Sequence, residues 1–122
     1  MDKSFENGCV LIIGGSGGIG SLCAQEFVNS GAKVAITYYR NEQAAIKIAN
    51  EIDSDVKIYQ LNNGDYKSVE GTFKKVIEDH GSINTLVNAA GFDIPQKFIS
   101  EIDVDLWKGV IDADINGFFN LV

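Results

Sequence analysis

The chain has 122 residues, enough for one domain with a buried core, and 45% of them are hydrophobic. Its formal net charge of −7 argues against nucleic acid or an anionic membrane as a partner. It has no secretory leader and no apolar run near the roughly 20 residues that a membrane span needs, so we expect a cytoplasmic protein. Two cysteines are too few for a disulfide framework, and both are expected to be reduced thiols.

Predicted strands and helices alternate along the chain. The apolar run Cys9–Ile13 predicts a strand buried on both faces. Residues 19–30 carry apolar side chains at helical spacing, and Gly31 ends this helix. The apolar positions of the first helix are Ile19, Leu22, Cys23 and Phe27. The later elements are a strand over 33–38, a helix capped by Asn41, a strand over 56–61, a helix capped by Asp65, a strand over 83–87 and a helix from Asp103 to Val122. In the helix capped by Asp65, the residues expected to face inward are Val69, Phe73, Val76 and Ile77.

This alternation predicts an α/β fold with one doubly wound parallel sheet, covered by helices on both faces. We expect a single domain over residues 1–122 with strand order 3-2-1-4, ending after the fourth strand and the helix that follows. In such sheets ligands bind outside the carboxyl ends of the strands, where the strand order reverses. Here that point lies between strands 1 and 4.

A glycine-rich loop joins the first strand to the first helix. Its sequence is Gly14-Gly15-Ser16-Gly17-Gly18-Ile19-Gly20. Residues without Cβ let the backbone approach a pyrophosphate, and free N–H groups at the helix start then face the negative charge. Two registers fit, Gly15-x-Gly17-x-x-Gly20 and Gly14-x-x-x-Gly18-x-Gly20. The alternative is a flexible turn, but the strand before and the helix after favour nucleotide binding.

The end of the second strand indicates which nucleotide is bound. NAD-binding folds usually place an acidic residue about 20 residues past the loop, where it accepts hydrogen bonds from the ribose 2′-OH. This chain has Tyr39-Arg40-Asn41 there, with no acid before Glu42. Arg40 can bind a 2′-phosphate through its fork of donors. The alternative is a solvated surface arginine; the missing acid favours NADP.

With these motifs the chain resembles the N-terminal half of the short-chain dehydrogenase/reductase family. Gly14, Gly18 and Gly20 fit the family's glycine motif, and the stretch Asn88-Ala89-Ala90-Gly91 fits its Asn-Asn-Ala-Gly motif. The last helix resembles the family's fourth large helix through Trp107, Asp114, Ile115, Gly117 and Phe119. The resemblance covers essentially all 122 residues. Within the family it is nearest to 3-oxoacyl thioester reductases.

The resemblance implies a Rossmann-type NADP-binding half-domain and a set of cofactor contacts. Asn62 and Asn63 stand where the family often has Asp-Val near the adenine, and the side-chain oxygen of Asn62 or Asn63 could still accept a hydrogen bond there. Asn88 would brace the central sheet, while Ala89, Ala90 and Gly91 would pass beside the ribose. The cofactor-binding residues expected are Gly14, Ser16, Gly17, Gly18, Ile19, Gly20, Tyr39, Arg40, Asn41, Asn62, Asn63, Asn88, Ala89, Ala90 and Gly91. The departures from the family pattern are Ile13 for threonine, Ala89 for asparagine and Asn84 for aspartate. The first two remove local hydrogen bonds and are expected to loosen the loops.

Asp114 has two interpretations. Helical periodicity places it within the apolar stripe of the last helix and therefore facing the interior, whereas Asp112 points away and is solvated. A buried carboxylate needs a partner or a raised pKa, so Asp114 could reach a backbone donor or a small polar pocket. By resemblance, Asp114 instead occupies the position of the asparagine in the family's catalytic tetrad.

The resemblance also implies a proton donor, a tyrosine whose pKa is lowered by a lysine four residues later. The residues four positions after the chain's tyrosines are Glu42, Gln43, Asn63 and Glu70, so no tyrosine has that lysine. We therefore expect that this chain by itself binds cofactor weakly and does not catalyse, as part of an NADP-dependent oxidoreductase acting on a small ketone or alcohol. His80 is expected at the surface, and no metal-ligand cluster is expected.

Two other functions remain open, a non-catalytic dinucleotide-binding or interaction module and a plain structural α/β domain. The last helix should leave Trp107, Phe118 and Phe119 partly uncovered. Such an apolar patch favours self-association, and the resemblance implies a homo-oligomer.

Overall fold

The computed structural model describes Phe5, residues 7–91 and residues 94–122. The described elements, in chain order, are β1 (Cys9–Ile13), α1 (Gly18–Asn29), β2 (Val34–Tyr38), α2 (Glu42–Ile52), β3 (Lys57–Gln60), α3 (Tyr66–His80), β4 (Ile83–Asn88), a short 3₁₀ turn (Ile99–Glu101), α4 (Val104–Val110), a π-helical segment (Ile111–Asn116) and α5 (Gly117–Leu121). Each of the predicted strands and helices is present, with boundaries within about two residues of the prediction.

The four strands form one parallel sheet in the order β3-β2-β1-β4. Ile12 of β1 lies opposite Ile36 on one side and Val87 on the other. Each connection between neighbouring strands is therefore a crossover that carries a helix, as parallel pairing requires. The predicted α/β fold and strand order 3-2-1-4 are confirmed.

The central strand β1 is buried on both faces, as its continuous apolar run predicts. Leu11 and Ile13 pack in a cluster with Val76 of α3 and Leu121 of α5. Alternate residues of β1 point the other way, and Ile12 packs there in the cluster that α1 and α2 cover. The sheet thus has a hydrophobic core on each face. Because the strands are parallel, their carboxyl ends all lie at the same edge of the sheet.

The predicted helix ends are confirmed at three positions. The Asn41 side chain accepts a hydrogen bond from the backbone of Ala44, and the Asp65 side chain accepts one from Lys67. These two caps satisfy N–H groups that have no acceptor within the helix. Gly81 ends α3 with a φ of 84°, a left-handed conformation that favours glycine.

The buried faces of α1 and α3 differ in part from those that the helical spacing of apolar residues predicts. In α1 the residues nearest the sheet are Gly20 and Ala24, whereas Ile19 is 76% exposed and Leu22 is also exposed. In α3, Val69 and Val76 are buried and Phe73 packs against the core, as predicted.

The exception in α3 is Ile77, which is exposed, so the prediction that it faces inward is wrong. Thr72 is buried on the same face as Val69 and Val76, and its hydroxyl donates a hydrogen bond to the Gln60 carbonyl of β3 at 2.8 Å. That bond ties the buried face of α3 to the sheet.

The prediction that Asp114 faces the interior is also wrong, since its side chain is exposed. The helix does not keep the α-helical period at this point: residues 111–116 form a π-helical segment, which adds a residue per turn. A constant period of 3.6 residues therefore gives the wrong face for the residues in this segment.

The last helix exposes large apolar side chains, as expected. Trp107 is 56% exposed, and Phe119 is 75% exposed. Phe118 is also exposed. Among the described residues, no helix combines the length and the apolar character needed to cross a bilayer.

Candidate functional site

A cleft of about 740 Å³ opens at the carboxyl ends of the strands. Its walls come from the turn after β1, the end of β2, the residues after β3, the loop after β4 and the helix after Asp103. It therefore lies where the strand order reverses, the position predicted for a ligand.

The floor of the cleft is a turn whose shape requires glycine. Gly14 has a φ of 73°, and a Cβ added there would lie 2.8 Å from the backbone of Ala90. The Gly14 N–H donates to the hydroxyl of the buried Thr37 at 3.1 Å. At the other end of the turn, a Cβ on Gly20 would overlap the Gly14 carbonyl oxygen. The turn is thus fixed by close backbone contacts with its neighbours rather than being a flexible connection.

The start of α1 is open to a ligand. Its N-cap residue, Gly17, has no side chain to cap the helix, and the first turn carries no acidic residue. The first N–H groups of a helix lack acceptors within the helix, and they attract anions. Ser16 and Gly17 line the cleft, and Gly18 and Ile19 are exposed next to them. A Cβ on Gly18 would meet no atom within 4 Å, so the space beside it is free.

The end of β2 brings an aromatic ring and a guanidinium to the cleft. The Arg40 guanidinium carbon lies 4.9 Å from the centre of the Tyr39 ring, and both residues line the cleft. The Tyr39 hydroxyl accepts a hydrogen bond from the Asn62 side-chain amide at 3.4 Å. Asn41, also predicted to bind cofactor, is not in the lining, because its side chain caps α2.

Asn62 and Asn63 line the cleft, but their side chains already have partners. The side-chain oxygen of Asn62 accepts a hydrogen bond from the Gly64 N–H at 3.1 Å. The side-chain amide of Asn63 donates to the Ala113 carbonyl at 3.2 Å. Asn62 therefore keeps one lone pair of its side-chain oxygen for a ligand rather than two.

The loop after β4 contributes Ala89, Ala90 and Gly91 to the cleft wall. Asn88 lies behind them at the end of β4, where it pairs in register with Ile13 and its side chain accepts from the Ala90 N–H at 3.3 Å. The Ala89 N–H donates to the Ile13 carbonyl at 2.9 Å. The backbone therefore holds this loop on β1 even though the side chains of Ile13 and Ala89 make no hydrogen bond.

Several lining residues were missed by the sequence analysis. Thr37, Leu61 and Gly64 line the cleft because each lies at or after the end of a strand, a position that could have indicated them. Asp112 and Ala113 also line it. Asp112 is exposed as predicted, but it also belongs to the cleft wall, where it lies in the π-helical segment.

The structure places Tyr59, Asp79 and His80 together away from the cleft lining. The Tyr59 hydroxyl donates to the Asp79 carboxylate at 2.6 Å and lies 3.3 Å from His80 Nε2. Burial and the bond to Asp79 raise the pKa of Tyr59, and the same bond lowers the pKa of Asp79. His80 is half-buried rather than fully at the surface, and burial lowers its pKa.

These groups fasten β3 to the end of α3. A tyrosine with a raised pKa is a weaker acid than usual, so Tyr59 is not tuned to give up a proton. In the described part of the chain, no three His, Cys, Asp or Glu side chains are grouped to hold a metal ion.

The fold and the cleft have the features of a dinucleotide-binding α/β domain, namely a glycine turn, an uncapped helix start and a basic group at the end of the second strand. The family model described as short chain dehydrogenase matches residues 8–122. The chain belongs to the short-chain dehydrogenase family.

Individual relatives agree with this family. The chain is 34% identical over 111 residues to acetoacetyl-CoA reductase of Paracoccus denitrificans, covering 91% of this chain and 45% of that protein. It is 32% identical over 120 residues to NADP-dependent mannitol dehydrogenase of Hypocrea jecorina, covering 93% and 45%. The first of these names agrees with the resemblance to 3-oxoacyl thioester reductases.

A solved structure shows the same fold. The chain superimposes on 3-ketoacyl-(acyl-carrier-protein) reductase from Brucella melitensis, complexed with NADH, with a TM-score of 0.88 and 22% identity, covering 96% of this chain and 48% of that one. The chain spans about half the length of these relatives.

Proposed function

We propose that this chain is the cofactor-binding part of an NADP-dependent oxidoreductase that transfers hydride between nicotinamide and a small ketone or alcohol. The observation that carries the proposal is the cleft itself, with free space beside Gly18 at an uncapped helix start and with Arg40 in the wall formed by the end of β2. The first feature suits the pyrophosphate of a dinucleotide, and the second suits a 2′-phosphate at its adenosine end.

The residues present fit this cofactor. Backbone N–H groups at the start of α1, next to Gly17 and Gly18, would hold the pyrophosphate, because the macrodipole and the free donors both favour negative charge there. Arg40 would bind the 2′-phosphate, and Ala89 and Ala90 would lie beside the ribose. When bound, the nicotinamide would give or accept the hydride, and the cleft residues of this chain would hold the rest of the cofactor.

The preference for NADP over NAD rests on charge. The relative from Hypocrea jecorina is named as NADP-dependent, whereas the Brucella melitensis structure contains NADH, so relatives support either cofactor. In this chain a guanidinium stands at the end of β2, and the nearest acid along the chain is Glu42, in α2. A 2′-phosphate is attracted by the arginine and meets no carboxylate on the residues that line this wall.

Proton transfer is the part of the reaction that these 122 residues do not provide. None of the four tyrosines has a lysine four positions later. We therefore expect the 122-residue chain to bind cofactor without turnover. The same observation favours a second candidate, a non-catalytic dinucleotide-binding module, because a complete cleft occurs without a proton donor.

Calorimetric titration of the purified chain with NADPH and NADH tests the binding proposal. We expect NADPH to bind more tightly than NADH, and no heat of binding at millimolar NADPH would refute the proposal. A turnover assay with NADPH and a 3-oxoacyl thioester should show no activity, so clear turnover would show that proton donors other than a tyrosine–lysine pair are in use. Reading the coding DNA beyond Val122 separates the two candidates: a continuing frame with Tyr-x-x-x-Lys supports the enzyme, and a stop codon supports the module.

A further inference from the structure

Asn63 links the turn after β3 to the last helix. Its side-chain amide donates to the Ala113 carbonyl at 3.2 Å, and its own carbonyl accepts from the Asn120 side chain at 2.9 Å. These contacts join residues 50 and 57 positions apart in the sequence. Asn63 is thus bonded to one residue within the π-helical segment and to one residue of α5.

The bond from Asn63 replaces one that the π turn removes. In an α-helix the Gly117 N–H would donate to Ala113, four residues back. Here it donates to Asp112, five residues back. The Ala113 carbonyl therefore loses its α-helical donor, and the side-chain amide of Asn63 supplies another. A carbonyl at a partly buried position needs such a donor, since an unsatisfied buried acceptor is costly.

Gly117 makes room for this contact. A Cβ added to Gly117 would lie 2.6 Å from the Asn63 side-chain nitrogen and 2.8 Å from the carbon that bears it. Gly117 is buried whereas Asn63 is half-buried at the cleft, so a Cβ at Gly117 would displace the Asn63 amide from this contact. The asparagine amide and the glycine therefore fit each other in the observed helix register.

The register decides which residues face the cleft. Leu121 is anchored in the core, so a change from π to α geometry would rotate the residues before the π-helical segment relative to the sheet. One residue corresponds to a rotation of about 100°. Asp112 and Ala113 line the cleft in the present register.

We propose that Asn63 is a positioning residue that selects the π-helical register of residues 111–116 and so places Asp112 and Ala113 on the cleft wall. It acts on the cleft through the helix, by supplying a donor to the Ala113 carbonyl when the Gly117 N–H is bonded to Asp112 instead.

NMR couplings across hydrogen bonds test the register without any cofactor. In the wild type, the Gly117 nitrogen should couple to the Asp112 carbonyl carbon. In Asn63→Leu, which lacks the donor, and in Asn63→Asp, which presents an oxygen instead, the coupling should move to Ala113. Asn50→Leu, at an exposed asparagine of α2, is the matched control and should keep the wild-type coupling.

Three results would overturn the proposal. They are a wild-type coupling to Ala113, an unchanged coupling to Asp112 in both Asn63 variants, and failure of both variants to fold. Failure of both variants to fold counts against the proposal because a change of helix register should cost only one hydrogen bond. The sheet and its two hydrophobic clusters should then stay intact.

A second readout rests on the proposed function. If the register shapes the cofactor cleft, Asn63→Leu should weaken NADPH binding by about three- to tenfold, the range that one neutral hydrogen bond gives. Gly117→Ala displaces the same amide, so the double variant should lose little more than either single variant. A moved coupling with unchanged affinity would keep the register proposal and remove its link to the cofactor. Absence of NADPH binding in the wild type would refute the proposed function alone.

Discussion

Two glycines of the turn after β1 should respond in opposite ways to the same substitution. A Cβ on Gly18 would meet no atom within 4 Å, whereas a Cβ on Gly20 would overlap the Gly14 carbonyl oxygen and lie 2.9 Å from Gly15 Cα. Gly18 is thus free in the unliganded protein, and Gly20 is already in contact. We predict that Gly18→Ala impairs NADPH binding and that Gly20→Ala impairs folding.

The magnitudes follow from these contacts. Gly20→Ala forces a backbone shift in a tightly packed turn, so the free energy of unfolding should fall by about 1–3 kcal/mol. Gly18→Ala meets no clash and reduces the freedom of the unfolded chain, so the free energy of unfolding should rise by about 0.4–1 kcal/mol. Its Cβ occupies the space proposed for the pyrophosphate, and we expect the NADPH dissociation constant to rise at least about tenfold, or 1.4 kcal/mol.

Urea denaturation and calorimetric titration measure the two effects separately. Gly71→Ala is the matched control, since Gly71 is an exposed glycine of α3 whose Cβ would also meet no atom within 4 Å. It should gain stability as Gly18→Ala does and keep the wild-type affinity for NADPH. Wild-type affinity in Gly18→Ala would refute the placement of the phosphates, and wild-type stability in Gly20→Ala would refute the packing argument.

Three further predictions concern other parts of the chain. Arg40→Gln should raise the dissociation constant of NADPH by about ten- to a hundredfold, the range of a charge-assisted hydrogen bond, and leave that of NADH nearly unchanged. Lys33→Gln, which removes the same charge before β2, should change neither dissociation constant. Equal losses of affinity for both cofactors in Arg40→Gln would contradict the assignment of Arg40. Burial raises the pKa of Cys9 from 9.0 to about 11, so the stability that its buried neutral thiol contributes is present below pH 9 and lost as the pH rises toward 11. The fall in unfolding free energy between pH 9 and pH 11 should therefore be smaller in Cys9→Ala. A thiol reagent should label only Cys23 in the native protein. Phe119→Glu should lower the mass that light scattering reports at high protein concentration, and a wild type that stays at 13.2 kDa would exclude self-association through this face.

The sheet and the glycine turn could be predicted because their signals are local. A continuous apolar run such as Cys9–Ile13 has few alternatives to a buried strand, and alternation with helices then fixes parallel pairing. The caps at Asn41 and Asp65 follow from side chains that bond to the backbone two or three residues away. Each of these features depends on neighbours within one element.

The errors arose where a distant contact changes the geometry. Ile77 has the spacing of a core residue, but the face of α3 that is buried carries Thr72, whose hydroxyl bonds to β3. Asp114 was assigned by a constant helical period, whereas the Gly117 N–H bonds to Asp112 and the period changes. The donor that compensates is Asn63, far away in the sequence, and nothing local indicates it.

The contacts that shape the cleft are distinct from the tyrosine–lysine pair that the resemblance implies for proton transfer. Each cleft wall is fixed by a bond within the 122-residue chain: Gly14 to Thr37, Ala89 to Ile13, and Asn63 to Ala113. Binding of a dinucleotide depends on these walls, whereas acid catalysis depends on a tyrosine whose pKa is lowered. We therefore predict that cofactor binding and proton transfer are separable in this fold. The test is to append a segment with a tyrosine–lysine pair to this chain and to measure both turnover and NADPH affinity. Turnover with unchanged NADPH affinity would demonstrate the separation. A large rise in affinity would refute it and show that residues outside this chain complete the cleft.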